Sequence, residues 1–336
     1  AFQTNDEINN MTFYKYQIST QTWTEAAEAP YPFSSNEEST LTYPGSGNYI
    51  YAFFGSISGY GCARYDFVND VWETLAPSPL WQNQVFVAVA AGDKIYTANT
   101  VDMVTYTIST NTWDHPRNYN VPAFTYGSLV NPETDPDTVY MVYGNGSSIF
   151  YKYSVSQKKV LALIKAPFLF LAGAKAVYPG TGNFIYVVPG GLKTEFWRYD
   201  LVNDTWAQLA ASPNAVFSGC KLTGKGDVLY MAPGRDITNL SSQSNYVFLK
   251  YTISTNTWAS AANLIYPIQN SAELGNTMIH VPSQGRIYWR PGSGSGSFYV
   301  YNTGADVWTA LASLPVGGYS GQALHYPGTG DFIYNL

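Results

Sequence analysis

Three histidines, two cysteines and one acidic run are the residues of this chain whose types could do chemistry. His280-Val281-Pro282 and His325-Tyr326-Pro327 repeat one local pattern, and two imidazoles in matching places could share a metal ion. Zinc and copper sites use three or four protein ligands, and the third histidine, His115, stands in a different context. A structural role is therefore the expectation for the pair. Cys62 and Cys220 form neither a metal-binding nor a redox spacing. The run Asn131-Pro132-Glu133-Thr134-Asp135-Pro136-Asp137 gathers oxygen donors that could hold calcium; its plainer reading is a solvated turn. Asn10, Asn145, Asn203 and Asn239 open Asn-x-Ser/Thr sequons, which arise often by chance in so Asn- and Thr-rich a chain. No catalytic constellation and no cofactor motif emerge, so the chain is expected not to be an enzyme.

The bulk numbers narrow the partners. Charged residues are 12% of the chain, about half of the ~25% usual in soluble domains. The polar surface must then come mostly from Ser, Thr, Asn, Gln and tyrosine hydroxyls, and Tyr alone supplies 29 residues. A net charge of −6 with 17 Lys and Arg argues against a nucleic-acid or anionic-membrane partner. No run approaches the ~18 apolar residues needed to span a bilayer. The start, Ala1-Phe2-Gln3, has neither a charged region nor an apolar one, so any signal peptide is expected to have been removed.

What must position these residues is a repeat. A tyrosine, a polar turn and a tryptophan seven residues on recur at Tyr16…Trp23, Tyr65…Trp72, Tyr106…Trp113, Tyr199…Trp206, Tyr251…Trp258 and Tyr301…Trp308. A seventh copy, Tyr153…Val160, keeps the spacing without the Trp. Each copy reads as two strands around a turn rich in Asn, Asp, Ser and Thr. Upstream lies a second hairpin, marked by Tyr-Pro-Gly-x-Gly at Tyr43–Gly47, Tyr178–Gly182 and Tyr326–Gly330, with looser forms at Thr223–Gly226 and Pro282–Gly285. Two hairpins per repeat predict a four-stranded antiparallel propeller blade.

The tyrosines recur at about 48 residues, nearer the ~50 of Kelch repeats than the ~40–45 of WD40. In these features, with a Pro after each outer hairpin as in Trp206 to Pro213, the chain resembles the Kelch family over essentially its whole length. The double glycine typical of that family is intact only at Gly190-Gly191, with Pro233-Gly234 and Pro291-Gly292 as partial copies. The resemblance implies an all-β, single-domain, seven-bladed propeller. Some of its members are copper oxidases with a tyrosine cross-linked to a cysteine. Cys62 and Cys220, three blades apart, sit away from the histidine pair, so that chemistry is not expected here, nor is a disulfide between them.

The chain opens inside an outer hairpin and ends after an inner one, so one blade is expected to take two strands from each end. That closure would remove free sheet edges. The blades are placed at 316–336 plus 1–30, 31–79, 80–120, 121–167, 168–213, 214–265 and 266–315.

Loops on a rigid scaffold are where binding is usually built. The variable loops run 30–38, 55–61, 80–84, 190–195 and 234–245, which makes Tyr31, Tyr60, Trp81, Phe168, Arg235 and Asp236 the binding candidates. The function expected is a non-catalytic binding or structural propeller at an extracellular, cell or virion surface. It would contact protein or glycan, or copies of itself, with no nucleic acid and no membrane insertion. The competing class is an enzyme, a copper oxidase or a sugar-modifying enzyme, working in the central channel.

Overall fold

The computed structural model describes residues 11–32, 39–54, 61–79, 87–98, 103–114, 128–132, 134–135, 137–142, 144, 146–154, 156–157, 159–162, 165–236, 243–268, 276–291, 296–315 and 323–336. β1 (Tyr14–Gln17) and β2 (Thr22–Glu25) open the chain. Four strands then build each of blades two to seven. Blade two is β3 (Thr40–Thr42), β4 (Tyr49–Phe54), β5 (Gly61–Asp66) and β6 (Val71–Thr74). Blade three is β7 (Val87–Ala91), β8 (Lys94–Ala98), β9 (Met103–Thr107) and β10 (Thr112–Asp114). Blade four is β11 (Ser128–Val130), β12 (Thr138–Val142), β13 (Tyr151–Ser154) and β14 (Lys159–Ala162). Blade five is β15 (Lys175–Val177), β16 (Phe184–Val188), β17 (Trp197–Asp200) and β18 (Thr205–Gln208). Blade six is β19 (Lys221–Lys225), β20 (Val228–Ala232), β21 (Leu249–Thr252) and β22 (Thr257–Ser260). Blade seven is β23 (Thr277–Val281), β24 (Arg286–Arg290), β25 (Tyr299–Asn302) and β26 (Val307–Ala310).

The last two strands, β27 (Leu324–His325) and β28 (Phe332–Asn335), complete blade one in the order β2-β1-β28-β27. Tyr16 of β1 lies opposite Ile333 of β28. The chain is thus a seven-bladed β-propeller of four-stranded antiparallel sheets, its two ends sharing one blade. The strands group into two compact units, blades one to three and blades four to seven.

Second strands such as Val228–Ala232 are almost wholly buried, whereas fourth strands such as Thr257–Ser260 are mostly exposed and carry Thr and Ser. A tyrosine stands mid-strand in every second strand (Tyr51, Tyr96, Tyr140, Tyr186, Tyr230, Tyr288, Tyr334), and all seven are buried. Within each unit these rings meet the third-strand tyrosine of the next blade: Tyr334 with Tyr65 at 5.6 Å, Tyr140 with Tyr199 at 5.9 Å, Tyr230 with Tyr301 at 5.7 Å.

In five blades a phenylalanine three residues before the third-strand tyrosine completes the seam. Phe196 lies 4.7 Å from Tyr251 and 5.0 Å from Trp258, edge to face. Phe13, Phe150 and Phe248 repeat this against the next tyrosine and tryptophan. In the first unit Phe298 does the same to Tyr16 and Trp23. Such pairs contribute about 0.5–1.5 kcal/mol each beyond area burial. Cys62 holds this wedge position in blade two, where Phe53 reaches Trp113 instead at 5.8 Å.

The repeated Tyr…Trp motif also grips the preceding blade by hydrogen bonds. In four blades the hairpin turn ends in an Asp or Asn at positive φ that makes the same contacts: Asp70, Asn111, Asn256 and Asp306 (φ 52–57°), a conformation Asn and Asp tolerate best after Gly. Its Oδ1 accepts both the tyrosine hydroxyl and a backbone N–H just beyond the previous blade's last strand: Ala27, Ala76, Ala210 and Ala262 respectively. The tryptophan Nε1–H then donates to the carbonyl of that same alanine at 2.7–3.0 Å. One alanine is held at both backbone groups, which is why the motif pairs an Asx with a Trp two residues on.

The turns themselves come in two chemistries. In blades two, five and seven the third strand ends in Asp66, Asp200 or Asn302, whose Oδ1 accepts two N–H groups of its own turn. In blades one, three, four and six a serine in the turn (Ser19, Ser109, Ser156, Ser254) donates its N–H and hydroxyl to an aspartate just before the second strand (Asp331, Asp93, Asp137, Asp227). Either way the polar turn is satisfied without outside partners.

Candidate functional site

The antiparallel order sends both self-satisfied turns to one end of each sheet. The second-to-third-strand loop and the blade-to-blade connection leave from the other, so the described candidates Tyr31, Phe168, Arg235 and Asp236 belong to this loop end. Tyr60 and Trp81 lie outside the described residues. Tyr31 packs its ring on Phe54 at 5.5 Å and on the backbone of Gly61, where a Cβ would lie 2.5 Å from Tyr31 Cγ. Phe168 is buried among Phe170, Trp197 and Trp206, with ring centroids 5.1–5.2 Å away. Both rings, each following a proline, fill the groove where a connection crosses between blades. Phe168, expected as a loop contact, is a core side chain for that reason. Tyr266, stacked on Tyr299 at 6.1 Å, lies in the corresponding connection of the second unit and was not anticipated.

Arg235 and Asp236 remain as partly exposed loop residues. Their backbones are pinned: Arg235 N–H donates to Ser218 O at 3.0 Å, and Asp236 N–H to Oδ1 of the buried Asn245 at 2.8 Å. The path of this loop depends on Gly234 (φ 100°), where a Cβ would come within 2.5 Å of Phe217 O.

Sequence reasoning missed a polar group in blade seven. Arg290, the last residue of β24, is fully buried, and burial lowers its guanidinium pKa to about 10. Two residues after the second-strand tyrosine, the other six blades carry Phe53, Ala98, Val142, Val188, Ala232 and Leu336. Alignment of the blades on that tyrosine exposes the anomaly, which the outer-hairpin repeat does not contain. Beside it, Asn276 is buried and bridges two blades, accepting from Trp289 Nε1–H at 2.9 Å and donating to Gly219 O at 3.1 Å.

The histidine pair separates. His325 lies opposite the second-strand tyrosine, Tyr334, whereas His280 lies opposite Ile287, the residue before Tyr288. The one-residue difference turns the two rings to opposite faces of their sheets. His280 accordingly packs on Tyr230 of blade six, and His325 on Tyr43 of blade two. In each, one ring nitrogen is buried without a hydrogen-bond partner, Nδ1 of His280 and Nε2 of His325. Burial, aided at His280 by Lys225, lowers both pKa values to about 4.

These histidines make stability depend on pH in a defined window. Both are neutral when folded at neutral pH, while the unfolded chain takes up their protons at the ordinary ~6.5. Stability is therefore lost as pH falls from about 6.5 to about 4, by about 1–2 kcal/mol per partly exposed ring. Urea midpoints at pH 7 and 4.5 should show this loss, and His280→Gln/His325→Gln should remove most of it. An equal loss in the double variant would exclude the histidines as its source.

Cys62 and Cys220 are both buried free thiols, and burial pushes the Cys62 thiol pKa up. In the acidic run, Asp137 accepts from Ser154 and Ser156, and Asn131 Nδ2–H donates to Thr138 O at 2.6 Å. These bonds are those of a turn, with the Asp137 carboxylate committed as in three other blades. Asn203 is exposed in a turn, its amide donating to Asp200; the other sequon asparagines lie outside the described residues.

No protein-family model matches the chain, and no curated protein matches it. Among solved structures it is similar to YjhT, with a TM-score of 0.45 and 16% identity over 60% of this chain and 69% of that one.

Proposed function

We propose that this chain is a Kelch-like binding module that presents the loop end of its blades to a protein or glycan partner at an extracellular, cell or virion surface. The observation that carries this reading is the asymmetry between the two ends of every sheet. At the turn end the outer hairpins share one four-residue turn length and are tied by their own Asp, Asn or Ser hydrogen bonds. At the loop end the connections differ in length and residue type from blade to blade, on strands held rigid by the tyrosine–tryptophan seams. Variation confined to one end of a rigid scaffold is how binding surfaces are diversified.

The test is to screen the purified chain on a glycan array and against cell-surface proteins, then compare two variants on any hit. Arg235→Glu, at the loop end, should weaken binding about tenfold or more. Thr255→Ala, in an exposed turn at the opposite end, should leave it unchanged. The reverse pattern would sink the proposal.

A further inference from the structure

The Asp or Asn that ends an outer turn acts as a clamp, its Oδ1 taking the hydroxyl of its own blade's tyrosine. The other terminal atom is an acceptor, Oδ2, where the clamp is Asp, and a donor, Nδ2, where it is Asn. What the preceding blade offers that atom changes with it. The residue before the third-strand tyrosine is Lys15, Arg64, Lys152, Arg198 and Lys250 in blades one, two, four, five and six. The clamp of the blade that follows is, in the same order, Asp70, Asn111, Asp204, Asn256 and Asp306. Lysine thus always precedes aspartate, and arginine always precedes asparagine. Blades three and seven carry Thr105 and Val300 instead, and the copies that follow them have Lys158 and Gln21 at the clamp position, neither of them a carboxylate; Lys158 lies outside the described residues.

The geometry supplies the reason. Between blades one and two, Lys15 Nζ lies 3.0 Å from Asp70 Oδ2, while Oδ1 takes Tyr65 O–H at 2.6 Å and Ala27 N–H at 2.9 Å. Both carboxylate oxygens are thereby committed to the seam. Between blades six and seven, Tyr301 O–H and Ala262 N–H, with the charge of Lys250, hold the Asp306 carboxyl below its ordinary range. Lys152 stands 5.6 Å over Tyr140, the ring that meets Tyr199, whose hydroxyl donates to Asp204; it also lies 3.9 Å from Asp135 of its own blade. The two arginines are satisfied at home. Arg64 pairs with Glu73 at 2.6 Å and lies 4.2 Å over Tyr49, and Arg198 lies 4.3 Å over Phe184. Guanidinium suits such stacking, and the Nδ2–H groups of an Asn clamp give a cation nothing to bind.

We propose that this pair is a matching rule between blades: a lysine takes a successor clamped by aspartate, and a home-paired arginine takes a successor clamped by asparagine. The rule answers a hazard that the sequence creates. Blades three and six share the run Tyr-Thr-Ile-Ser-Thr-Asn-Thr-Trp, and blades two and five differ at two positions of theirs. Repeats so alike misassemble with one another. Charge pairs between packed elements are best attested as devices that set register, rather than as sources of stability. Here the pair keeps the outer hairpins of blades two, five and seven from docking where those of blades three and six belong.

The test is a double-mutant cycle on the full chain, with Lys15→Met, Asp70→Asn and the two together. Asp70→Asn keeps the Oδ1 acceptor, so the clamp survives and only the charge match is lost. The two substitutions should couple by about two- to fivefold in the unfolding equilibrium constant. Refolded from urea, each single variant should yield less monomer than the parent on size-exclusion chromatography, and the double variant should regain most of it. Arg198→Met with Asn256→Ala, at a seam whose clamp is uncharged, should be additive. Lys250→Met with Asp306→Asn repeats the cycle at a second seam and decides the matter if a first-seam variant fails to fold. Additive effects at the lysine seams, equal coupling at the arginine seam, or monomer yields that ignore the match would each overturn the proposal.

Discussion

Replacing Trp258 by alanine is expected to destabilise the protein by about 3–5 kcal/mol, the range for deleting a packed tryptophan. The side chain touches Tyr251 at 5.0 Å and Phe196 at 5.0 Å, and its Nε1–H satisfies Ala210 O at 2.9 Å. The truncation opens the seam between blades five and six and orphans a carbonyl. Trp258→Phe should cost less, since it keeps a ring and loses the hydrogen bond. The clamp's other half is Asn256, whose Oδ1 accepts both Ala210 N–H and Tyr251 O–H. Asn256→Ala should cost about 2 kcal/mol, through two lost bonds and a positive φ that alanine resists. Asn256→Asp should be nearly silent, because Asp306 and Asp70 make the same contacts in their blades. Thermal and urea unfolding would measure the series. A Trp258→Ala variant as stable as the parent would show that the seam is not held this way.

Gly190→Ala is expected to be comparably damaging, for a different reason. Gly190 has φ 76°, and a Cβ there would lie 2.4 Å from Ala172 O and 2.6 Å from Ala174 N. Both are backbone atoms of the connection that crosses the end of blade five, so no rotamer change relieves the overlap. The left-handed conformation costs about 1–2 kcal/mol, and displacing the crossing backbone adds about as much again. Gly45 supplies the control. Its φ is 86° but nothing lies within 4 Å of the missing Cβ, so Gly45→Ala should show only the conformational cost. Equal melting temperatures for the two variants would refute the crowding argument.

The double glycine at Gly190-Gly191, read in the sequence as a family trait, thus has a packing cause. Gly191 makes room for the Leu171 side chain of the same crossing connection. Pro233-Gly234 survives as a partial copy because one crossing backbone, at Phe217 and Ser218, needs only one glycine.

Blade number, the four-stranded unit and the sharing of one blade by both termini were legible in the text of the chain. They depend on local signals: alternation, turn residues and the seven-residue step from Tyr to Trp. The two turn chemistries were equally present, since Asp before the second strand goes with Ser in the following turn. They escape a local pattern because the partners lie 16 to 27 residues apart in three blades and 312 apart in the blade that joins the two ends.

The candidate site fared differently. Tyr31 and Phe168 looked like exposed loop aromatics because they follow prolines in variable stretches. Exposure, however, depends on what the next blade offers, and a neighbouring blade lies 40 to 50 residues away in sequence. The histidine pair looked alike because Pro follows each by two, yet a one-residue register difference faces them in opposite directions. Arg290 stands out only against the matching second-strand position of the other blades, which carry Phe53, Ala98, Val142, Val188, Ala232 and Leu336.

By itself, then, the order of residues determined the seven-fold repeat and the closing of its first blade by strands from both ends. Those features follow from periodicities of two residues and of one repeat, which any window of the chain displays. Only tertiary structure decided which side chains fill the seams between blades and which stand at the loop end. Burial is a property of two surfaces brought together, and the second surface is a different part of the chain.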